Sequence, residues 1–303
     1  MYEKILVPLD GSKTAENVLP YARCFARNLQ IPVELLAVVD VAEMARNISA
    51  AEGLFLDTLI EDETRKYDDY LKGIAKNFPE GGVQHRIGKG KAAEVIVETA
   101  AKEKTTLIAM ATHGRSGLDR WLVGSVAEKV LRAAANPLLL VRAKEENPPW
   151  NMAAPKSIVV PLDGSELAES VLPAVEEVAK SLDLEVILLR VYGVPYGAYS
   201  AGEGFYDTTQ IEAFLASLKS DALEYIERKG AELKKHGLEK VTLVVKEGLG
   251  ADEIISFARH TPDNLIAMCS HGRSGVKRWV LGSVTETVVR HSGDPVLILR
   301  APS

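Results

Sequence analysis

Two short segments combine residue types that can do chemistry. Pro8-Leu9-Asp10-Gly11-Ser12 places a carboxylate among turn residues directly after an apolar run. Asp-Gly-Ser is turn chemistry, and Ser12 is a candidate helix cap. The second segment is Met110-Ala111-Thr112-His113-Gly114, then nine residues, then Gly124-Ser125. Gly114 permits close backbone approach or a positive φ. Gly124-Ser125 at a helix start offers free backbone N–H groups and a hydroxyl, an anion site favoured by the helix dipole. Both segments recur, as Pro161 to Ser165 and as Met268-Cys269-Ser270-His271-Gly272, nine residues, Gly282-Ser283. Together such features can hold a base, a sugar and phosphates without a lysine-centred loop. Asp10 and Asp163 also read as plain turn residues, and the two Gly-Ser pairs as plain helix starts. Recurrence does not choose, because duplication copies structural residues too.

Other chemistries find less support. Gly88-Lys89-Gly90-Lys91-Ala92 lacks the Gly-Lys-Ser/Thr spacing of a Walker loop, and no GxGxxG opens a helix after the first strand. Gly114-Arg115-Ser116-Gly117 is not the GxSxG of hydrolases. His113 and His271 each lie beside glycine with no identifiable acidic or serine partner, which favours a loop or phosphate-adjacent role over a general base. Arg115, Arg120, Arg273 and Arg278 read as phosphate contacts or as solvated loop residues. Trp121 and Trp279 repeat in register and read as packing residues, with stacking on a nucleotide as the alternative. The remaining histidines show no ligand spacing, so no metal site is assigned. Cys24 and Cys269 form no CxxC or zinc-type pattern and read as buried small residues.

The elements that must carry these segments are written twice. Ile5-Leu6-Val7-Pro8-Leu9-Asp10-Gly11-Ser12 recurs as Ile158-Val159-Val160-Pro161-Leu162-Asp163-Gly164-Ser165. His113 to Arg142 aligns without a gap to His271 to Arg300, with 16 of 30 positions identical. In each half, strands and helices alternate. Ile5–Leu9 and Val33–Val39 are short apolar runs suited to strands buried on both faces. A helix follows the first strand to about Leu29, and Pro20 inside it implies a kink or a later start. Thr58–Lys76, Ala92–Lys102 and Gly124–Ala134 read as helices. Val83–Ile87, Thr106–Ala111 and Leu138–Val141 read as strands. Alternation of this kind implies parallel strands with helices on both faces, with ligands outside the carboxyl ends of the strands at a switch in strand order.

The chain of 303 residues suits two domains. With 36 Lys and Arg against 42 Asp and Glu, its formal charge is -6. That balance, without a long basic run, argues against a general nucleic-acid partner. No apolar stretch approaches the roughly 20 residues of a membrane span, and no leader pattern precedes the first strand. The expected compartment is the cytoplasm.

The spacing small-x-x-Gly, nine residues, Gly-Ser, paired with an early Pro-x-Asp, resembles that of the universal stress protein (UspA) family. Both halves match over nearly their full length, so the chain resembles a tandem member. The resemblance implies two repeated open parallel five-stranded sheets with helices on both faces, the adenine-nucleotide α-hydrolase-like or UspA fold. These are expected at residues 1–143 and 156–303, with a linker at 144–155, and as an intrachain pseudo-dimer joined through the final strands, with a further homodimer left open. It also implies ATP, with Mg²⁺ on the phosphates. Carried over by motif position, the first-half contacts are Pro8, Leu9, Asp10, Val38, Met110, Ala111, Gly114, Gly124, Ser125, Val126 and Ala127. The second-half contacts are Pro161, Leu162, Asp163, Val191, Met268, Cys269, Gly272, Gly282, Ser283, Val284 and Thr285. The family motif begins with Gly, where this sequence has Ala111 and Cys269; the Cys is expected to crowd the sugar. Ala127 lacks the hydroxyl that Thr285 offers to a phosphate. The segment Val194–Thr208 is expected to cover the second site as a flap. The function implied is an ATP-binding regulatory protein of the stress response with an unidentified protein partner. No catalytic residue is assigned, because no base is placed to activate a water. The alternatives are a weak ATPase, a nucleotidyl or phosphoryl transferase, and an interaction module that binds no nucleotide.

Overall fold

The structure, a computed structural model, describes residues 2–47, 55–79, 82–112, 123–143, 154–193, 208–270 and 281–300. The chain forms two compact units. The first comprises Met1–Ala154 together with Pro295–Arg300, and the second Pro155–Asp294 with Ala301–Ser303. Among the described residues, no helix is long and apolar enough to cross a membrane.

In the first unit the order is β1 (Lys4–Pro8), a 3-10 turn (Ala15–Val18), α1 (Leu19–Leu29), β2 (Val33–Val39), α2 (Val41–Asn47), α3 (Leu56–Ala75), β3 (Val83–Lys89), α4 (Ala92–Ala101), β4 (Thr106–Ala111), α5 (Ser125–Ala133) and β5 (Leu138–Val141). The strands run β3-β2-β1-β4-β5 in parallel. The last strand of the chain, β10 (Val296–Leu299), pairs antiparallel with β5, with Leu297 opposite Leu139. Every residue of β4 is buried, and the four residues of β5 are buried leucines and a valine. Their continuous apolar character is what a strand covered on both faces requires. Gln84, His85 and Arg86 of the edge strand β3 are exposed, and such charge discourages pairing with another chain.

Pro20 is accommodated by a late helix start. A 3-10 turn precedes it, and the α-helix opens at Leu19, so the missing N–H of Pro20 falls among the donors that a first turn leaves unpaired. Pro173 stands in the same place in the second unit. The helix α2 has no counterpart in the sequence reading, which left the stretch after Val39 unassigned.

The second unit repeats the plan with β6 (Ser157–Pro161), α6 (Glu166–Glu169), α7 (Leu172–Leu182), β7 (Glu185–Tyr192), α8 (Thr208–Lys235), β8 (Val241–Glu247), α9 (Gly250–Arg259), β9 (Asn264–Cys269) and α10 (Ser283–His291). Its strands run β8-β7-β6-β9 in parallel. In each unit, helices cover both faces of the sheet. The expected linker lies outside the described residues except for Ala154 and Pro155.

Candidate functional site

The strand order reverses between β1 and β4 in the first unit and between β6 and β9 in the second. At such a switch the connections leave in opposite directions and open a crevice at the strand ends. Both sequence segments of interest end there.

The turn after β1 is closed by Asp10. Its Oδ1 accepts from the Ser12 backbone N–H at 2.9 Å and from the Ser12 hydroxyl at 2.6 Å. Gly11 has φ +80°, a left-handed conformation that a glycine adopts at little cost. Ser12 Oγ in turn accepts from the Ala15 N–H at 3.1 Å and caps the 3-10 turn. Asp163, Gly164 (φ +85°) and Ser165 reproduce all of this at the same three distances. One carboxylate oxygen of each aspartate therefore does the structural work of a turn. The two readings of Asp10 and Asp163 are compatible, because the turn fixes where the carboxylate sits.

The return from β4 is closed by a backbone bond. The Gly124 N–H donates to Thr112 O at 2.5 Å, and the Gly282 N–H donates to Ser270 O at 2.8 Å. This bond brings the first turn of α5, and of α10, to the end of the central strand. Gly124 and Gly282 have φ of -57° and -61°. Their backbone is open to any residue, so their contribution is the absence of a side chain at the helix start.

In the first unit these pieces surround one cleft of about 1180 Å³. Pro8, Leu9, Asp10, Val38, Met110, Ala111, Gly124, Ser125, Val126 and Ala127 all line it. Gly114 lies outside the described residues. Further walls come from residues that sequence reasoning did not single out. Asp40, Glu43, Met44 and Arg46 line it from the end of β2 and α2, Leu59, Lys66 and Tyr67 from α3, Lys91 and Glu94 from the start of α4, and Lys129 from α5. The sequence carried one usable signal for all of them except Lys129: they follow the carboxyl ends of β2 and β3, as the known segments follow β1 and β4.

In the second unit, Pro161, Leu162 and Asp163 end β6, Val191 lies near the end of β7, and Met268 and Cys269 end β9. Gly282 caps α10, and Ser283, Val284 and Thr285 form its first turn. Gly272 lies outside the described residues, as do His113, His271, Arg115, Arg120, Arg273, Arg278, Trp121, Trp279 and the flap segment before Thr208. The Thr285 hydroxyl does not behave as expected. It is buried and donates to Cys269 O at 3.0 Å, so its single proton ties helix to strand instead of facing a phosphate. The Cys269 sulfur lies 3.5 Å from Ser170 Oγ, turned toward the residue that follows α6. Cys24 is only half-buried, and burial still pushes its thiol pKa up, away from the low values of reactive cysteines.

A glutamate stands behind each turn, buried in the case of Glu16 and half-buried in that of Glu169. Glu16 accepts from the Tyr70 hydroxyl at 3.2 Å and pairs with Lys13 at 2.9 Å. Glu169 accepts from the Tyr225 hydroxyl at 2.9 Å and pairs with Lys229 at 2.9 Å. Burial, and then the neighbouring Glu16 carboxylate, push the Tyr70 pKa far up; burial and the bond to Glu169 do the same to Tyr225. Both phenols stay protonated and act as fixed donors.

The family model of the universal stress proteins matches residues 1–142 and again 155–300. The chain belongs to the universal stress protein family. Two universal stress proteins of Methanocaldococcus jannaschii are similar to it. One is 34% identical over 144 residues, covering 47% of this chain and 83% of its own. The other is 32% identical over 157 residues, covering 48% of this chain and 97% of its own. The crystal structure of a universal stress protein from Archaeoglobus fulgidus matches 98% of this chain and 98% of its own, with a TM-score of 0.69 at 22% identity. That likeness carries the tandem universal stress protein fold along the whole chain.

Proposed function

We propose that this universal stress protein is a regulatory ATP-binding protein of the stress response, with an adenine nucleotide held in each repeat and not turned over. The observation that carries the reading is the cleft at the β1–β4 switch, where the residues matched by motif position meet. In this reading Asp10 and Val38 meet the base and sugar, and the free N–H groups of Ser125, Val126 and Ala127 receive the phosphates at the positive end of α5. Asp163, Val191 and the first turn of α10 take the same roles in the second repeat. Among the described residues, no group of three His, Cys, Asp or Glu is placed to hold a metal. In this reading Mg²⁺ comes with the nucleotide, on its phosphates. The intrachain pseudo-dimer is supported by β10, which the second repeat supplies and which pairs with β5.

Mass spectrometry of the ligand released from purified, denatured protein tests the reading, together with calorimetry against adenine nucleotides. Two adenine nucleotides per chain are expected. An empty protein that gives no heat and no thermal shift with any nucleotide makes it an interaction module instead. Sustained ATP hydrolysis above about one per second, near the low end of enzyme rates, makes it an enzyme.

A further inference from the structure

The two repeats fill the space behind the Asp-Gly-Ser turn from opposite sides. In the first, Ala37 of β2 is fully buried and contributes only a methyl group, while Tyr67 of α3 brings its hydroxyl to 3.5 Å from Asp10 O. In the second, the strand supplies the bulk. Pro8 pairs with Leu36 and Pro161 with Leu189, so Arg190 occupies the position of Ala37. Arg190 Nη1 donates to Leu162 O at 3.2 Å, and its guanidinium lies 5.6 Å from the centre of the Tyr225 ring.

The helix makes the complementary change. Tyr70 and Tyr225 are counterparts, because each donates to the equivalent glutamate, Glu16 or Glu169. The residues that follow agree: Leu71 and Ile226 are both fully buried, as are Phe78 and Leu233 nearly so. Counting back three residues from each tyrosine, Tyr67 is matched by Ala222, which is itself buried at 3% exposure. A large helix residue over a small strand residue in one repeat thus becomes a small helix residue over a large strand residue in the other. Both solutions place an N–H or O–H donor on a carbonyl of the turn that carries the aspartate.

We infer that Arg190 is the positioning residue of the second nucleotide site, holding the Leu162-Asp163 turn as Tyr67 holds the Leu9-Asp10 turn in the first. This rests on the nucleotide reading for its ligand arm but not for its structural arm. A charged donor on a backbone carbonyl is a strong bond, and a guanidinium offers further donors and a planar face for the Tyr225 ring.

The test uses the full chain with Arg190→Ala, Arg190→Lys and the double variant Arg190→Ala with Ala222→Tyr. Hydrogen exchange is followed at residues 162–165 without ligand, and ATP is titrated by calorimetry. Arg190→Ala is expected to speed exchange in that segment by about tenfold and to weaken the second site by about tenfold, leaving the first unchanged. Arg190→Lys is expected to restore part of both. The double variant, which installs the first repeat's arrangement, is expected to restore both. Exchange and second-site affinity unchanged in Arg190→Ala overturn the inference, as does a double variant that folds but restores neither. If the parent binds no ATP at either site, the nucleotide reading fails, and the exchange measurement still decides the role of Arg190.

Discussion

Both repeats close the turn after their first strand with an aspartate, a left-handed glycine and a capping serine, at the same distances. Around that shared turn the supporting groups differ. The carbonyls that end α4 and α9 illustrate it. In the first repeat the buried Asn136 side chain donates to Ala100 O at 3.0 Å and Glu103 O at 2.9 Å. In the second, Ala258 O and Thr261 O receive the same treatment at 2.9 Å and 2.7 Å, but from Asn264 at the start of β9. Asn136 precedes β5, where the second repeat has Asp294; Asn264 begins β9, where the first has Thr106. The geometry of helix end and strand is kept, while the residue that serves it moves to another element. What persists between the copies is a side-chain amide donor on those carbonyls, beside the backbone N–H groups that also reach Ala100 O, Glu103 O and Ala258 O. Who supplies the donor is free to drift.

The largest expected effect separates the two sites outright. Gly124→Val places a branched side chain at the helix start where a phosphate would approach, and Gly282→Val does so in the second repeat. Each is expected to lower ATP affinity at its own site at least about a hundredfold, or roughly 2.7 kcal/mol, with the other site intact. Calorimetry that finds two unchanged sites in a folded Gly124→Val protein removes the phosphates from α5. Asp10→Ala and Asp163→Ala come next. They remove a carboxylate that also closes the turn, and loss of about 1.5 to 3 kcal/mol of binding is expected at the affected site. Equal losses in the two repeats would fit their identical turns. A loss in one repeat alone would show that the supports behind the turn, and not the aspartate, govern recognition.

Much of this molecule was legible in its sequence. Val33–Val39, Thr106–Ala111 and Leu138–Val141 are strands at the bounds read from their apolar runs, because burial on both faces favours near-continuous apolar residues, with Glu34 and Thr106 as buried polar exceptions. The Asp10-Gly11-Ser12 turn and the Gly124-Ser125 helix start were legible because turns and caps admit few residue types; that Pro8, Leu9, Val126 and Ala127 join them at the cleft came from the family resemblance. The helix α2 was not, since seven residues between a strand and an unassigned stretch give too short a period to read. Nor were the substitutions of Asn264 for Asn136 and of Arg190 for Tyr67. The strands β3 and β8 align at a separation of 158 residues, which would match Tyr67 with Tyr225; the glutamate contacts match Tyr225 with Tyr70 instead. Only the partner of each hydroxyl reveals the shift.

The asparagines offer a stability test of the same comparison. Asn136→Ala and Asn264→Ala each remove two side-chain hydrogen bonds from carbonyls at a helix end, while backbone N–H groups still reach Ala100 O, Glu103 O and Ala258 O. At about 0.5 to 1.5 kcal/mol per bond, each is expected to cost about 1 to 3 kcal/mol, read as a lower denaturant midpoint. The two sit in separate units, so their effects are expected to add within about 0.5 kcal/mol in the double variant. If Asn264→Ala proves harmless while Asn136→Ala does not, the backbone donor on Ala258 O suffices in the second repeat, and the equivalence of the two asparagines fails.

The smallest effect concerns Thr285, where the first repeat has Ala127. Position alone would make the hydroxyl a phosphate ligand and the second site the tighter one. The hydrogen bond to Cys269 O argues otherwise, because a hydroxyl has one proton to give. Thr285→Val keeps the shape and removes that proton. The cost expected is about 0.5 to 1.5 kcal/mol of stability, for a buried carbonyl that loses its side-chain donor, with second-site ATP affinity changed by less than about twofold, or roughly 0.4 kcal/mol. Paired thermal melts and calorimetry separate the two roles. A tenfold loss of affinity at unchanged stability would return Thr285 to the phosphates, and with it a built-in preference of ATP for the second repeat.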